Sequence, residues 1–419
     1  MYKLVIQGGK TLQGSVKAAG SKNSSLPILF ASILADSPIT LNNTPQLSDV
    51  STTLRLLMSM GADFILESDS SLFVDSSKLN HLIADYNLVK TMRASILVLG
   101  PMLAKYGKAK VSLPGGCAIG TRPVNLHLKA LEELGASIEV KNGYIYAETK
   151  GLIGADIHFD QVTVTATENV IMAATLAQGT TTINNAAQEP EISDLCHCLN
   201  KMGAKISGIG TLIITVEGVE NLNGVQYSVC SDRIEVATYL VAGAITGGSI
   251  TVRNANPQVM RSVLGKLIEI GADIKTESNS ISLDMKGRRP KAVNIKTGTY
   301  PNFPTDMQAQ FTALNAIAEG HSSITENIFE NRFMHIPELM RMGADLTLEG
   351  NTVVCKGVKS LTGAHLMATD LRASASLVLA GLAAKGTTTI ERVYHLDRGY
   401  ETIEEKLKSL GADIERVQD

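Results

Sequence analysis

The sequence of 419 residues is poor in aromatic side chains, which make up 4% of it, and it contains no tryptophan. Apolar residues nevertheless account for 44%. We therefore expect large cores built from Ala, Val, Ile, Leu and Met. The length alone favours two or more domains.

A surplus of one charge sign is also missing. Lysine and arginine together number 38, and aspartate and glutamate number 41, which gives a formal net charge of −3. Proteins that bind nucleic acid usually carry a basic surplus. The composition therefore argues against general nucleic-acid binding, although it leaves room for a local cationic cleft.

Long apolar runs and paired cysteines are lacking too. Residues 373–384 form one of the longest uncharged apolar runs, which is shorter than the ~20 residues of a membrane-spanning helix. The first residues, MYKLVIQGGK, read as a strand and a turn and not as a signal peptide. Five irregularly spaced cysteines do not form a disulfide framework. We expect a soluble protein of the reducing cytoplasm.

What the sequence does contain is a repeat. A short phrase of the type MGAD recurs six times, and its glycines are Gly61, Gly135, Gly203, Gly271, Gly343 and Gly411. Successive glycines lie 74, 68, 68, 72 and 68 residues apart. This near-equal spacing indicates six copies of one structural unit.

Each copy has the same surroundings. An amphipathic helix precedes the phrase, and its glycine is expected to end that helix in a left-handed conformation. A strand with alternating apolar residues follows. Upstream lies a second, more apolar helix such as ASASLVLAGLAAKG. The unit therefore reads strand, helix, strand, helix, strand, strand.

Helices that are apolar nearly all round must be buried, so we expect helices inside and sheets outside. Six units could stack as a solenoid or close into compact groups. Three units per domain matches the usual domain size better. The crossings between domains are expected near Gly20 and near residues 227–231.

Polar residues interrupt this framework at equivalent places in the repeats. Many precede predicted helices, whose N-termini favour anions, and the arginine fork matches phosphate or carboxylate. Together they predict a site for a doubly anionic ligand. Taken singly, each arginine is better explained as a solvated residue or a structural ion pair, for example Arg372 with Asp370. The residues are Lys22, Asn23, Arg93, Arg122, Asp306, Arg332, Asp370, Arg372 and Arg398.

Cys117 lies in the loop LPGGCAIGTRP, where glycines give it little apolar cover. Cationic neighbours would make its thiol more acidic and more reactive. The alternative is a small buried hydrophobe, which fits the other four cysteines. Cys196 and Cys198 resemble half of a metal site, but adjacent helix positions point apart and no second half-site follows, so we exclude zinc.

Several motifs, LPGGCAIGTRPV, SKNSSLP, ENRFMHIPELMRMGAD and DLRASASLVLAG with DRGYE, closely resemble bacterial UDP-N-acetylglucosamine 1-carboxyvinyltransferases of the enolpyruvyl transferase family. The resemblance covers the whole chain. It implies an α/β fold, a two-domain inside-out α/β barrel with six βαβαββ repeats, three per domain. Residues 22–229 would form the first domain, and residues 1–21 and 230–419 the second. The active site would lie in the cleft between them.

The resemblance also implies a reaction, the first committed step of peptidoglycan synthesis. The enolpyruvyl group of phosphoenolpyruvate would move to the 3′-hydroxyl of UDP-N-acetylglucosamine, releasing phosphate by addition and elimination through a tetrahedral ketal. No metal or organic cofactor would be needed. The partners would be these two small molecules, with no nucleic acid and no membrane, and no protein partner is indicated.

Roles follow from the motifs by resemblance. Cys117 would be the general acid, open to alkylation by epoxide phosphonates such as fosfomycin, and Asp306 the base or positioning group for the sugar hydroxyl. Phosphoenolpyruvate would be bound by Lys22, Asn23, Arg122, Arg332, Asp370, Arg372 and Arg398, with Lys22 and Arg398 also catalytic. The UDP-sugar would contact Arg93, Arg122, Pro123, Val124, Asn125, Leu126, Asp306 and Ile328.

Two positions depart from the family pattern. Gln161 stands where some members have lysine, and Asn125 stands where aspartate is frequent. A cationic contact to the nucleotide and a charge near the sugar nucleotide would then be missing. Two other functions stay open: the related transferase that acts on shikimate 3-phosphate, and a non-catalytic repeat protein that binds UDP-sugar.

Overall fold

The computed structural model describes residues 2–67, 71–114 and 124–418. They divide into two compact units. The N-terminal unit comprises residues 20–114 and 124–230, and the C-terminal unit comprises residues 2–19 and 231–418. Each unit has its own cluster of buried apolar side chains, built mainly from Ala, Val, Ile, Leu and Met as the composition predicts. The aromatic members are Phe30, Phe159 and Tyr227 in the N-terminal unit, and Tyr239, Phe303, Phe311, Phe333 and Tyr400 in the C-terminal unit.

The strands are numbered along the chain. They are β1 (Tyr2–Gln7), β2 (Gln13–Lys17), β3 (Ile39–Asn42), β4 (Asp63–Leu66), β5 (Leu72–Asp75), β6 (Ile83–Ala84), β7 (Lys108–Ser112), β8 (Ser137–Lys141), β9 (Tyr144–Glu148), β10 (Asp156–His158), β11 (Thr180–Asn184), β12 (Lys205–Ser207), β13 (Ile213–Glu217), β14 (Gln226–Ser228), β15 (Ser249–Arg253), β16 (Asp273–Thr276), β17 (Ser280–Asp284), β18 (Ile295–Lys296), β19 (His321–Thr325), β20 (Asp345–Glu349), β21 (Thr352–Lys356), β22 (His365–Met367), β23 (Thr387–Glu391) and β24 (Asp413–Gln418).

The helices follow the same numbering. They are α1 (Lys22–Ala31), α2 (Ser48–Ser59), α3 (Tyr86–Val89), α4 (Leu99–Tyr106), α5 (Asn125–Glu133), α6 (Val164–Ala174), α7 (Pro190–Met202), α8 (Arg233–Ile245), α9 (Arg261–Glu269), α10 (Gln308–Ile317), α11 (Ile336–Arg341), α12 (Leu371–Ala383) and α13 (Ile403–Ser409). Short 3₁₀ helices span Ser32–Leu34, Arg93–Val98, Pro257–Met260, Thr305–Met307 and Val393–Arg398.

Within the described residues, each unit contains three four-stranded sheets. The N-terminal unit has the strand orders β14-β3-β5-β4, β6-β7-β9-β8 and β10-β11-β13-β12, and the C-terminal unit has β2-β15-β17-β16, β18-β19-β21-β20 and β22-β23-β1-β24. In every sheet the first pair in this order is parallel and the next two pairs are antiparallel. The predicted βαβαββ repeat is confirmed in all six copies, and hydrogen bonds between described strands do not join the sheets into closed barrels.

Two sheets take a strand from a distant part of the chain. In the N-terminal unit, β14 pairs in parallel with β3, so the first repeat is completed from the end of the third. In the C-terminal unit, β2 pairs with β15, and β1 pairs antiparallel with both β23 and β24. Residues of one short N-terminal segment therefore complete two sheets of a unit that otherwise begins more than 200 positions later along the chain.

The apolar helices are buried, as predicted. In α8 every residue from Ile234 to Ile245 is buried, and in α12 the same holds from Arg372 to Leu382. In α10 the buried stretch runs from Gln308 to Ala316. A helix covered on all sides needs no polar face, and α8 and α12 show none in the sequence. The helix α10 differs, because it buries the polar side chains of Gln308, Gln310, Thr312 and Asn315. No helix in the described ranges is long and apolar enough to span a bilayer.

The six repeat glycines have φ angles of +104°, +93°, +112°, +98°, +90° and +96° in chain order. This left-handed region is strained for residues with a Cβ atom, which is why glycine recurs there. The predicted helix ends are confirmed, and each glycine is followed within two residues by the strand that the repeat requires.

Candidate functional site

Asp306 lies between two buried arginines in the C-terminal unit. It belongs to the 3₁₀ helix Thr305–Met307, which leads directly into α10. Its Oδ1 accepts a hydrogen bond from Arg332 Nη2 at 2.6 Å, and its Oδ2 accepts from Arg372 Nη2 at 3.0 Å. The arginine side chains are 7% and 4% exposed, while the Asp306 side chain is 26% exposed. Taken alone, these three groups carry one positive charge in excess, which suits an anion.

The start of α12 holds Arg372 in this position. Asp370 is the N-cap of the helix, and its Oδ1 accepts from the backbone N–H groups of Arg372 and Ala373 at 2.9 and 3.0 Å. The guanidinium of Arg372 binds Asp306 instead. The interpretation of Asp370 and Arg372 as an ion pair is therefore replaced by a helix cap, which stabilises α12 by satisfying two free N–H groups.

Tyr400 completes the surroundings of Arg372. Its hydroxyl accepts from Arg372 Nη1 at 3.1 Å and lies 2.9 Å from Thr238 Oγ1. Burial raises the pKa of Tyr400, so the phenol stays neutral. The sequence analysis quoted Tyr400 within DRGYE and gave it no role. The sequence holds no signal for this role, because the burial of Tyr400 and the partners of its hydroxyl are defined only by the fold.

Two further predicted residues of the C-terminal unit are partly buried. Arg398 ends the 3₁₀ helix Val393–Arg398. Burial lowers the pKa of the nearby His395; the charge of Asp370 opposes this shift, and the charges of Arg398 and Arg392 add to it. Ile328 is half-buried in the loop after β19, and its backbone N–H donates to Glu326 Oε1 at 2.8 Å.

In the N-terminal unit, Lys22 is the first residue of α1, behind the N-cap Ser21. Its Nζ lies 3.2 Å from Asp49 Oδ2 on the first turn of α2, and both side chains are largely buried. Asn23 follows on α1 and is exposed. The pair holds the lysine ammonium at the beginning of a helix, a position that also favours anions.

Arg93 begins the 3₁₀ helix Arg93–Val98 and is half-buried. It lies near His127 on α5. Burial, with the charge of Arg93 adding to it, lowers the pKa of His127 to about 3. His127 is thus a neutral imidazole, which the sequence analysis did not identify.

Two side chains of α6 fix the tautomer of His127. Asn169 Nδ2 lies 3.0 Å from His127 Nδ1, and Thr165 Oγ1 lies 3.1 Å from Nε2. Because the amide group of Asn169 donates, Nδ1 accepts and the proton resides on Nε2. Asn169 Nδ2 also donates to the carbonyl of Ile96 at 3.0 Å. An asparagine inside the apolar run NVIMAAT was the signal for this network.

The remaining predicted nucleotide-sugar contacts surround the start of α5. Val124 and Leu126 are half-buried and Asn125 is exposed. Gln161 is exposed in the bend before α6. Cys117, Arg122 and Pro123 lie outside the described residues.

The four described cysteines differ from a reactive thiol. Burial raises the pKa of Cys196, Cys198 and Cys355 to about 12. Burial also raises the pKa of Cys230, whose Sγ lies 3.1 Å from Ser24 Oγ. All four are free thiols. Cys196, Cys198 and Cys355 are buried and pack as small hydrophobes, as the sequence analysis expected, whereas Cys230 is half-buried. His197, between two of them on α7, is exposed, so the CHC residues do point apart.

Residues 6–407 match the family model described as EPSP synthase (3-phosphoshikimate 1-carboxyvinyltransferase). The chain belongs to the EPSP synthase family. Its relatives in this family include the UDP-N-acetylglucosamine 1-carboxyvinyltransferases of Ruthia magnifica subsp. Calyptogena magnifica and of Shewanella amazonensis, 80% and 59% identical over the full length of both chains. This membership confirms the predicted family resemblance, and the chain is a transferase.

Solved structures of EPSP synthase family members share the fold. The enolpyruvyl transferase NikO from Streptomyces tendae superposes with a TM-score of 0.89 at 24% identity, covering 99% of this chain and 98% of that one. EPSP synthase from Acinetobacter baumannii superposes with a TM-score of 0.79 at 19% identity, covering both chains fully. The predicted fold class is confirmed, and the solenoid alternative is wrong.

Proposed function

We propose that this transferase moves the enolpyruvyl group of phosphoenolpyruvate to the 3′-hydroxyl of UDP-N-acetylglucosamine, in the first committed step of peptidoglycan synthesis in the cytoplasm. The observation that carries the proposal is the Asp306 carboxylate held by Arg332 and Arg372, in a chain 80% identical to an enzyme of that name. The cluster combines an acceptor for a hydroxyl proton with a cationic environment for an anionic substrate.

Asp306 is the proposed base or positioning group for the sugar hydroxyl. Two guanidinium groups orient its carboxylate, and about a quarter of the side chain remains open for a ligand. A positioned carboxylate within hydrogen-bond reach of the hydroxyl can accept its proton as the oxygen attacks. Orientation by two fixed donors also reduces the entropy lost when the substrate is aligned.

The proposed phosphoenolpyruvate clamp uses Lys22, Asn23, Arg122, Arg332, Arg372 and Arg398. Arginine forks bind carboxylate and phosphate through paired hydrogen bonds. Asp370 acts through the helix cap that fixes Arg372. The proposal thus draws cationic residues from both units.

Cys117 is the proposed proton donor. Its S–H proton adds to the methylene carbon of phosphoenolpyruvate while the sugar oxygen bonds to C2, which gives the tetrahedral ketal. Phosphate then leaves with the electron pair of its bond to C2, and the methyl carbon returns a proton to the Cys117 thiolate, which forms the enol ether and regenerates the thiol. The UDP-sugar would contact Arg93, residues 122–126, Asp306 and Ile328, with Gln161 and Asn125 reducing the charge around the nucleotide.

Phosphate release from phosphoenolpyruvate tests the proposal directly. We expect release with UDP-N-acetylglucosamine, and none with shikimate 3-phosphate or without an acceptor. Release with shikimate 3-phosphate alone would assign the chain to the related reaction. Binding of UDP-N-acetylglucosamine without any release would support the non-catalytic alternative.

Alkylation by fosfomycin tests the role of the loop thiol. Peptide mass spectrometry should find the label on Cys117, faster with UDP-N-acetylglucosamine present, while the four described cysteines stay unlabelled because burial keeps their thiols protonated. Cys117→Ser should lose most activity, since a hydroxyl is a weaker acid, whereas Cys117→Asp should stay active and resist the label. Labelling at Cys196 or Cys230 instead would remove Cys117 from the mechanism.

A further inference from the structure

Glu326 is a buried carboxylate that the proposed reaction does not use. It follows β19 and is 2% exposed. Its two oxygens accept four hydrogen bonds from three segments of the C-terminal unit. A buried charge is tolerated only when hydrogen bonds replace the water that it loses. The number of these bonds indicates that the surrounding segments are organised around this one group.

The Oε2 oxygen of Glu326 is linked by hydrogen bonds to Arg332. Thr305 Oγ1 donates to Glu326 Oε2 at 2.8 Å and accepts from Arg332 Nη1 at 2.9 Å. A threonine hydroxyl has one hydrogen, so its donation to the carboxylate leaves a lone pair facing the guanidinium. The other end of that guanidinium binds Asp306. Glu326 thereby fixes the direction of the hydrogen bond that orients Arg332.

The Oε1 oxygen of Glu326 binds the backbone of the loop that contains Ile328. It accepts from the backbone N–H groups of Ile328 and Phe329 at 2.8 and 3.2 Å, and from Thr297 Oγ1 at 3.0 Å. The hydroxyl of Thr297 in turn accepts from the backbone N–H of Asn327 at 2.9 Å. The same oxygen therefore holds three consecutive backbone N–H groups of the loop, two directly and one through Thr297.

A carboxylate suits both oxygens because it only accepts hydrogen bonds. A glutamine of the same shape could keep its oxygen toward the loop, but its amide group would then donate to Thr305. The hydrogen of Thr305 would have to turn elsewhere in a buried region, where an unmatched polar group is costly. Replacement by glutamine should therefore disturb the Arg332 side and spare the Ile328 side.

We propose that Glu326 is a positioning residue that serves the two substrates through separate oxygens. Oε2 acts through Thr305 on Arg332, and so on phosphoenolpyruvate. Oε1 acts on the backbone at Ile328, and so on the UDP-sugar. This inference rests on the proposed function, because it needs both substrates to be those assigned above.

Kinetics of substituted enzymes test it with each substrate varied in turn. Thr305→Val keeps the shape and removes the hydroxyl, so KM for phosphoenolpyruvate should rise roughly tenfold, the loss of a hydrogen bond to a charged group. KM for UDP-N-acetylglucosamine should stay within about twofold, because Arg372 still holds the Asp306 carboxylate through Oδ2. Thr305→Ser should restore the wild-type value. Glu326→Gln should show the same split, whereas Glu326→Ala should raise both constants.

Thr325→Val is the matched control. Thr325 precedes Glu326, and its hydroxyl bonds only to Thr352 Oγ1 at 2.9 Å among the contacts described. This substitution should leave KM unchanged for both substrates. If Thr305→Val does not fold, the split in Glu326→Gln decides the question.

The outcomes separate the inference from the proposed function. A wild-type enzyme without phosphate release in the presence of UDP-N-acetylglucosamine would overturn both. An active wild type in which Thr305→Val and Glu326→Gln leave KM for phosphoenolpyruvate unchanged, or raise both constants equally, would overturn the role of Glu326 alone. Failure of Thr305→Ser to restore KM would do the same.

Discussion

In the C-terminal unit two buried arginines share the Asp306 carboxylate, whereas the N-terminal unit surrounds His127 with the neutral side chains of Thr165 and Asn169. Both networks use residues at or just before the first turns of helices in different copies of the βαβαββ repeat: Asp306 and Arg372 at α10 and α12, and His127 and Thr165 at α5 and α6. The repeat therefore fixes where a polar group can enter the core but not whether it carries charge. Charge is tolerated where neighbouring donors and acceptors satisfy it.

A pair of buried histidines sharpens this comparison. His127 and His335 both have pKa values lowered to about 3, in each case by burial first and by a nearby arginine second. Both ring nitrogens of His127 have partners. Neither ring nitrogen of His335 has a hydrogen-bond partner within the described part of the chain. Similar pKa shifts thus arise for a histidine whose ring nitrogens are hydrogen-bonded and for one whose ring nitrogens are not bonded by the described residues.

The largest effect is expected at Asp306, on which the charged network depends. Asp306→Ala should lower turnover by about 10²–10⁴-fold, the usual effect of losing a general base, because the hydroxyl loses its acceptor and two guanidinium groups lose their shared partner. Asp273→Ala is the control, since this exposed carboxylate also pairs with two cations, Lys286 and Arg288. Near-normal turnover in Asp306→Ala would remove the residue from the mechanism.

Arg398→Ala should have the next largest effect. A charge-assisted hydrogen bond to an anion contributes roughly 1.5–3 kcal/mol. The kcat/KM for phosphoenolpyruvate should therefore fall by the factor that corresponds to this free energy. Binding of UDP-N-acetylglucosamine, measured by calorimetry, should barely change. An equal loss of affinity for both ligands would show that Arg398 does not belong to the phosphoenolpyruvate clamp.

Acid should destabilise both units through their histidines. In the unfolded chain a histidine binds a proton near pH 6.5, but in the folded protein these two do so only near pH 3. The unfolded state therefore binds more protons between these values, and stability falls as the pH falls. Each histidine should remove about 2 kcal/mol of unfolding free energy between pH 6.5 and 5.

Denaturant titrations at several pH values can measure that loss. His127→Leu and His335→Leu should each make the pH dependence shallower by about one proton over this range. A variant with the wild-type slope would show that its histidine is already protonated in the folded protein.

At pH 7 the same two variants should differ from each other in their free energy of unfolding. His127→Leu leaves Asn169 and Thr165 without their partner and should cost about 1–3 kcal/mol. His335→Leu breaks no described hydrogen bond of the ring and should be close to neutral or stabilising. A larger loss in His335→Leu would mean that its ring nitrogens are satisfied by groups other than the described side chains.

Local features of the fold could be predicted from the sequence, because helix periodicity and the need for glycine at positive φ depend on neighbouring residues. The exchange of β1, β2 and β14 between distant segments could not, because a strand's alternation of apolar residues does not specify its partner. The burial of α8 and α12 was predictable from their lack of a polar face.

The residues of the candidate site also form two groups, those that the sequence identified and those that it did not. Asp306, Arg332 and Arg372 could be identified as polar interruptions of the repeat, but their contact joins residues 26 and 66 positions apart. Glu326 and Tyr400 were missed because they act through other side chains. Their importance depends on hydrogen bonds that only the folded structure defines. The loop of Cys117 was identified by composition alone, and its role stays a prediction.

The pairing of β1 with β24 affects the order in which the protein can fold. Tyr2 lies opposite Gln418, so β1 cannot pair with β24 until the residues up to 418 have been synthesised. Such a distant contact is slow to form, while the strands of the N-terminal unit can already pair. Because β1 and β24 are neighbours, the gene could also be circularly permuted. A chain opened between residues 230 and 231, with residue 419 joined to residue 1 so that two residues connect β24 to β1, would encode the two units one after the other and allow the described strand pairs to form.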